Sequence, residues 1–211
     1  MYFKFILKKY LKKYLNKIGV YTWDKQLILP RMTFKEYIFF KYYLSKHSSS
    51  LYLESGSGGS TIIASKIFNT IHSYETDYRY TNYINTLLEE PLVRHISVGE
   101  TKKFGYPENE YQQNAKKISE VFKPHLSSII HPYSIIFLDG RCRVLTAVKL
   151  YDQISEMDYL MIHDFNRPHY KEILEMYNLI QKVDKLAILR KKETSENKIE
   201  DIKKKFSFDF R

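Results

Sequence analysis
Short apolar runs that end in an acid or a histidine recur along this chain, each followed by a stretch with helical spacing. The segments 51–54, 71–75, 93–98, 134–139, 159–163 and 185–190 read as strands. Helices are predicted near 60–69, 79–89, 109–122, 141–152 and 168–180. Such alternation is the pattern of a mostly parallel sheet with helices on both faces, an α/β Rossmann-like architecture. Ahead of it, Thr33 is suited to cap a helix through Ser45, and the polar turn 46–50 delivers the chain into the first strand. Phe206-Ser207-Phe208-Asp209-Phe210 alternates at period two and predicts a last strand, antiparallel at the sheet edge; the charged segment 191–205 before it reads as an exposed helix or loop. No internal repeat or linker interrupts the pattern. The expected organisation is one domain over 1–211, with a helical extension at 1–45, a core at 46–190 and the charged segment with its edge strand at 191–211.

Between the first predicted strand and its helix stands Glu54-Ser55-Gly56-Ser57-Gly58-Gly59-Ser60-Thr61. Gly56 and Gly58 let the backbone take positive φ and approach a ligand with no Cβ in the way, while the amides of Gly59, Ser60 and Thr61 open the helix. A polar cofactor can therefore lie on bare backbone. A dinucleotide fingerprint needs a third glycine where Thr61 stands, and a P-loop needs Gly-Lys-Ser/Thr, so neither NAD nor ATP is the first choice. Glu54 repels a pyrophosphate and suits a cationic, amino-bearing ligand, which is the chemistry of S-adenosylmethionine. Glu75 ends the next strand 21 residues later, near the spacing at which a carboxylate accepts ribose hydroxyls. Its plainer role is to cap the following helix, for which Asp77 is the better N-cap.

Ligands of such folds bind beyond the carboxyl ends of the strands. Glu54, Glu75, Asp139, His163 and Asp164 are thus expected to face one crevice, with Arg141, Arg143, Asn166, Arg167 and Tyr170 on the segments just after. Arg143, Arg167 and Tyr170 suit a sugar or an anionic small molecule through bidentate and stacking contacts. Arg141 and Arg167 are equally suited to neutralise the acids.

Composition changes the picture in two ways. Cys142 is the one cysteine among 211 residues, which excludes an intrachain disulfide, favours a reducing, cytoplasmic setting and leaves the core to hydrophobic burial. The net charge of +10 calls for acidic partners, and much of it lies near the start, where Lys4, Lys8, Lys9, Lys12, Lys13 and Lys17 alternate with Phe3, Leu7, Tyr10, Leu11, Tyr14, Leu15 and Ile18 at helical spacing. The ordinary use of such a helix is to cover an edge of the fold; the other is peripheral contact of residues 1–18 with an anionic membrane or a partner. The sequence reads without a transmembrane helix or a cleavable signal peptide.

The segments LESGSGGST (53–61), YETD (74–77), GETKKFGYP (99–107), FLDGRCRV (137–144) and HDFNRPHY (163–170), in this order, resemble class I S-adenosylmethionine-dependent methyltransferases. More narrowly they resemble a branch with Glu-x-Gly-Ser-Gly-Gly-Ser-Thr and Asp-Gly-Arg-x-Arg-Val signatures, over about 33–190. The resemblance implies that the loop of Glu54, Gly56, Ser57, Gly58, Gly59, Ser60 and Thr61 holds the methionine part of the cofactor, Glu75 the ribose, and Glu100 the neighbourhood of the adenine. For a hydroxyl acceptor Asp139 and His163 are the base candidates, with Arg141 beside them. Cation-dependent O-methyltransferases bind a divalent ion through a strand-four acid and an Asp-Asn pair after strand five. Asp139, Asp164 and Asn166 are similar in placement and their oxygens suit Mg2+ or Mn2+, although Arg141 stands where that group carries a further acid. A glycan or other small-molecule hydroxyl is the first expectation for the acceptor. The alternatives are an RNA methyltransferase, for which no RNA-binding module is appended, and a non-catalytic scaffold docked through residues 1–18, against which the intact glycine loop argues.

Overall fold
The structure, a computed structural model, describes residues 29–102, 105–109, 111–126 and 133–206. The helix expected at 3–18, with its proposed membrane contact, and residues 207–211 lie outside the described residues. The chain runs α1 (Phe34–Lys46), β1 (Leu51–Ser55), α2 (Gly59–Ala64), β2 (Ile71–Glu75), α3 (Tyr78–Asn85), β3 (Val93–His95), β4 (Thr101–Lys102), β5 (Tyr106–Pro107), α4 (Tyr111–Ser119) and α5 (Lys123–Leu126). It continues through β6 (Ser134–Leu138), α6 (Arg143–Leu150), β7 (Tyr159–Ile162), a 3-10 helix (Pro168–Glu175), β8 (Tyr177–Val183), β9 (Leu186–Lys191) and α7 (Glu196–Phe206).

Seven strands form one sheet in the order β3-β2-β1-β6-β7-β9-β8. The pairs from β3 to β7 are parallel, and β9 runs antiparallel to both its neighbours. The mostly parallel α/β fold read from the sequence is therefore the observed one. Its central strands are continuous apolar runs because both faces are covered. Leu53, Ile136, Leu138, Leu160 and Ile162 pack on one face with α6, the 3-10 helix and α7. Tyr52, Ile135, Phe137, Met161 and Ile188 pack on the other with Phe40 and Leu44 of α1. Ile135, Ile136, Phe137 and Leu138 are all fully buried, each worth roughly 1.5–3 kcal/mol relative to exposure. Parallel pairing brings the carboxyl ends of β2, β1, β6 and β7 side by side, where Asp139 and Gly140 amides donate to the Ser55 carbonyl at 2.9 and 2.7 Å and the His163 amide to the Leu138 carbonyl at 3.1 Å.

Three expectations need correction. The helix read over 168–180 stops as a 3-10 helix at Glu175, and Tyr177–Val183 is a strand. Hence the antiparallel edge is the hairpin of β8 and β9, while Phe206, expected to begin it, ends α7 and is buried. The strand read over 93–98 closes at His95, and a small antiparallel hairpin, β4 with β5, follows it. Thr33 does cap α1, in a reciprocal box: its Oγ1 accepts from the Glu36 amide at 3.2 Å and its amide donates to Glu36 Oε2 at 2.7 Å. No helix among the described residues is long and apolar enough to cross a membrane.

Candidate active site
The glycine loop joins β1 to α2, and each glycine there has its own reason. Gly56 has φ +93°, and a Cβ on it would stand 2.3 Å from the Gly140 nitrogen. Gly59 is pressed under the preceding chain: a Cβ would stand 2.3 Å from the Pro30 nitrogen and 2.6 Å from the Leu29 carbonyl carbon. The bare backbone expected at Gly59 is therefore covered by Leu29 and Pro30, and at Gly58 a Cβ would stand 3.3 Å from the Tyr80 hydroxyl, a tight contact with the end of a side chain. Ser57, between the glycines, is buried and its Oγ has no hydrogen-bond partner among the described residues.

Glu54, Ser60 and Thr61 turn inward instead of toward a ligand. Glu54 is fully buried. Its Oε2 accepts from Thr61 Oγ1 at 2.5 Å and Ser73 Oγ at 2.7 Å, and its Oε1 accepts from Ser60 Oγ and from the Tyr52 hydroxyl. Thr61 Oγ1 in turn accepts from the Gly58 amide at 2.9 Å, so Glu54 fixes the loop from beneath. Burial pushes its carboxyl up to about 7 against the pull of the three serine and threonine hydroxyls. The direct contact with a cationic ligand expected for Glu54 is replaced by this supporting role.

Glu75 ends β2 on the opposite side of the loop. Its Oε1 accepts from the amides of Thr76 at 2.7 Å and Asp77 at 3.1 Å, while Oε2 has no partner among the described residues. Burial outweighs the two backbone donors and raises the carboxyl above its ordinary range. The β4–β5 hairpin reaches the same edge, since Thr76 Oγ1 donates to the Gly105 carbonyl at 2.9 Å. Glu100 lies at the base of that hairpin and is exposed, its carbonyl accepting from the Glu108 amide at 2.9 Å.

Beyond β6 and β7 the acids and bases interlock. Arg143 is buried; its guanidinium meets Asp139 Oδ1 at 3.2 Å and Asp164 Oδ2 at 3.3 Å, and donates to the carbonyls of Gly140 at 2.9 Å and His163 at 2.7 Å. His163 Nδ1 lies 3.2 Å from Asp139 Oδ1, and its buried Nε2 faces Glu36 Oε2 at 3.5 Å. Burial opposes charge on this ring, but Asp139, Asp164 and Glu36 together outweigh it and raise the imidazole above its usual range. Burial likewise opposes the Asp164 carboxylate, and Arg143, His163 and Arg167 outweigh it and hold it low. Arg167 pairs with Asp164 Oδ2. Three carboxylates thus lie against two guanidiniums and an imidazole.

This pattern revises four sequence expectations. Arg143 is a clamp between strand ends, with no face left for a substrate. Tyr170 is fully buried beside Phe165 in the core. His163 is buried with a carboxylate at each ring nitrogen, Asp139 at Nδ1 and Glu36 at Nε2, which leaves neither nitrogen open to an acceptor or a metal. Asn166 is exposed and outside the cluster. The atoms of Asp139, His163 and Asp164 do approach one another within 4.8 Å. Even so, the guanidinium of Arg143 already bridges the two aspartates and both ring nitrogens of His163 face carboxylates, so this set fits a fixed arginine and not a divalent ion. Glu36 had no signal beyond its place three residues after a helix cap, because its partner comes from the far end of the chain.

No family model matches this chain, and no curated protein does. Solved structures do. A methyltransferase-like protein from Silicibacter pomeroyi superimposes with a TM-score of 0.73 at 16% identity, over 86% of this chain and 98% of that one. Cofactor-bound Rv0187 from MTB gives 0.49 at 14% identity, over 79% of this chain and 84% of that one. The MycE methyltransferase of mycinamycin biosynthesis, solved with Mg and SAH, gives 0.47 at 13% identity, over 79% of this chain and 53% of that one. With TM-scores below 0.5, the last two carry no weight for this chain. The first, together with the strand order, shows that the chain has the Rossmann-like α/β fold of a methyltransferase-like protein.

Proposed function
We propose that this protein is an S-adenosylmethionine-dependent methyltransferase acting on the hydroxyl of a sugar or another small molecule. The observation that carries the reading is the cradle at the adjoining ends of β1 and β2, where Ser57 Oγ has no partner among the described residues, Gly58 carries no side chain and Glu75 takes its hydrogen bonds through Oε1. These groups fit the cofactor: Ser57 and Gly58 suit its methionine part, and Glu75 suits two ribose hydroxyls as a bidentate acceptor. When bound, it supplies a methyl group already activated for transfer.

The chain's own contribution is alignment and proton removal. Gly140 packs on Gly56, so the acceptor side and the cofactor side of the crevice meet at backbone contact. Asp139 is the base: Arg143 and His163 fix its Oδ1, leaving Oδ2 to take the acceptor's hydroxyl proton as the oxygen gains the methyl group. His163 and Glu36 position Asp139. No metal takes part in this scheme, because Arg143 supplies the positive charge between Asp139 and Asp164.

Calorimetric titration with S-adenosylmethionine, S-adenosylhomocysteine and NAD tests the reading. Binding of the first two alone is expected, and Glu75→Ala is expected to weaken S-adenosylhomocysteine by about ten- to a hundredfold, from loss of charge-assisted hydrogen bonds. Unchanged affinity in that variant would remove Glu75 from the site, and absence of binding by the intact protein would overturn the proposal.

A further inference from the structure
Almost all the positive charge around Asp139 is committed. Glu36, Asp139 and Asp164 lie against Arg143, Arg167 and His163, and the side chains of this group answer one another. Arg141 stands outside that balance. Among the described residues no carboxylate pairs with it and no acceptor takes a hydrogen bond from it; its Nε is buried without a partner. Its guanidinium lies over the ring of Tyr106 on β5, 4.8 Å from the centroid.

A ring face attracts a cation but does not satisfy donors that point outward in the guanidinium plane. Tyr106 therefore orients Arg141 and leaves its hydrogen-bonding edge for something else. That edge is a planar fork of donors, matched to two oxygens of a carboxylate or a phosphate. The platform is itself held: Tyr106 follows Gly105, whose carbonyl accepts from Thr76 Oγ1 at 2.9 Å, beside Glu75. Arg141 is two residues beyond the proposed base Asp139, and its neighbour Gly140 packs on the glycine loop. Asp139 and Asp164 lie against Arg143, His163 and Arg167, which limits the repulsion that an arriving anion meets there.

We propose that Arg141, held flat on Tyr106, anchors an oxyanion carried by the acceptor, so that the methylated hydroxyl belongs to an anionic small molecule such as a sugar phosphate or a uronic acid. The inference rests on the methyltransferase reading, for which Asp139 takes the proton of a hydroxyl held at this anchor.

The test is binding of inorganic phosphate, followed by 31P line broadening, to the full chain with and without saturating S-adenosylhomocysteine. Phosphate is expected to bind, Arg141→Gln to weaken it at least tenfold, and Arg167→Gln, whose guanidinium is already paired, to leave it within about twofold. Arg141→Lys, which keeps the charge but loses the planar fork, is expected to fall between. Glucose 6-phosphate and glucuronate are then used to displace the phosphate: displacement by either supports the anchor, and the tighter one names its oxyanion. No phosphate binding up to 50 mM (roughly the weakest affinity worth assigning to a site), or equal binding by Arg141→Gln with its fold intact, overturns the proposal. S-adenosylhomocysteine affinity, read on the same samples, separates that failure from failure of the cofactor reading.

Discussion
His163 and Glu54 show how single side chains couple this fold to pH. His163 faces Asp139 and Asp164 from β6 and β7 ends and Glu36 from α1, and its folded pKa is raised. A raised value means that its contribution to stability is complete below the ordinary histidine pKa, about 6.5, and is lost as pH rises through the folded one. Glu54 acts in the same direction. Its carboxyl rises from 4.5 to about 7, so holding it ionised in the core costs progressively more across that interval, on the order of 3 kcal/mol by its upper end. Unfolding in urea is therefore expected to show stability falling from pH 5 toward pH 8, against the usual gain of a protein rich in paired surface carboxylates. Glu36→Gln is expected to lower the His163 pKa, followed through its ring protons by NMR, because one of three facing carboxylates is gone. An unmoved His163 titration would remove Glu36 from the arrangement that positions Asp139.

At the scale of elements, two glycines offer a matched comparison. Gly56 and Gly99 both take positive φ, +93° and +75°, but a Cβ on Gly56 collides with backbone of Asp139 and Gly140 while one on Gly99 meets nothing within 4 Å. Gly99→Ala is expected to lose only about 1–2 kcal/mol, the cost of the left-handed backbone. Gly56→Ala adds a clash between two strand ends that no side-chain rotation relieves, and is expected to lose about 3 kcal/mol or more together with cofactor binding. Denaturant midpoints of the two variants measure the difference. The same elements explain what the sequence made legible. The strands β1, β2, β6 and β7 are apolar because helices cover both faces, so their runs and terminal acids announced themselves. Strand β8 did not, since Asn178–Lys182 are exposed at the sheet edge and Ile173, Tyr177 and Ile180 imitate helical spacing. The crevice could be located from the strand ends, but not which side chains turn inward. Glu54, Arg143 and Tyr170 hold the scaffold because of partners that only the three-dimensional fold supplies, and Glu36 joins the site for the same reason.

The charge of the whole molecule is not spread over the fold. Six of the ten net positive charges belong to residues 1–28, leaving four for the other 183 residues. This distribution weighs on the choice of acceptor. A nucleic-acid methyltransferase needs a cationic track along its crevice, whereas here the arginines around Asp139, apart from Arg141, are neutralised by Asp139 and Asp164. We propose that this basic segment meets an anionic surface, and its two modes of doing so differ in their response to salt. If its apolar positions pack on the fold, only lysines meet the surface, each worth about 1 kcal/mol near anionic lipid and screened within a Debye length of roughly 10 Å at 0.1 M salt. We expect co-sedimentation with phosphatidylserine-containing vesicles at low salt, its loss by about 0.5 M salt as the screening length shrinks, and its loss at all salt concentrations when Lys4, Lys8, Lys9 and Lys12 are changed to Glu. Binding that survives high salt would instead mean that Phe3, Leu7, Leu11 and Leu15 enter the lipid, since burial of apolar surface is indifferent to ionic screening. In either case S-adenosylhomocysteine affinity should be the same for the lysine variant as for the intact protein, because none of the groups that form the cradle lies in that segment.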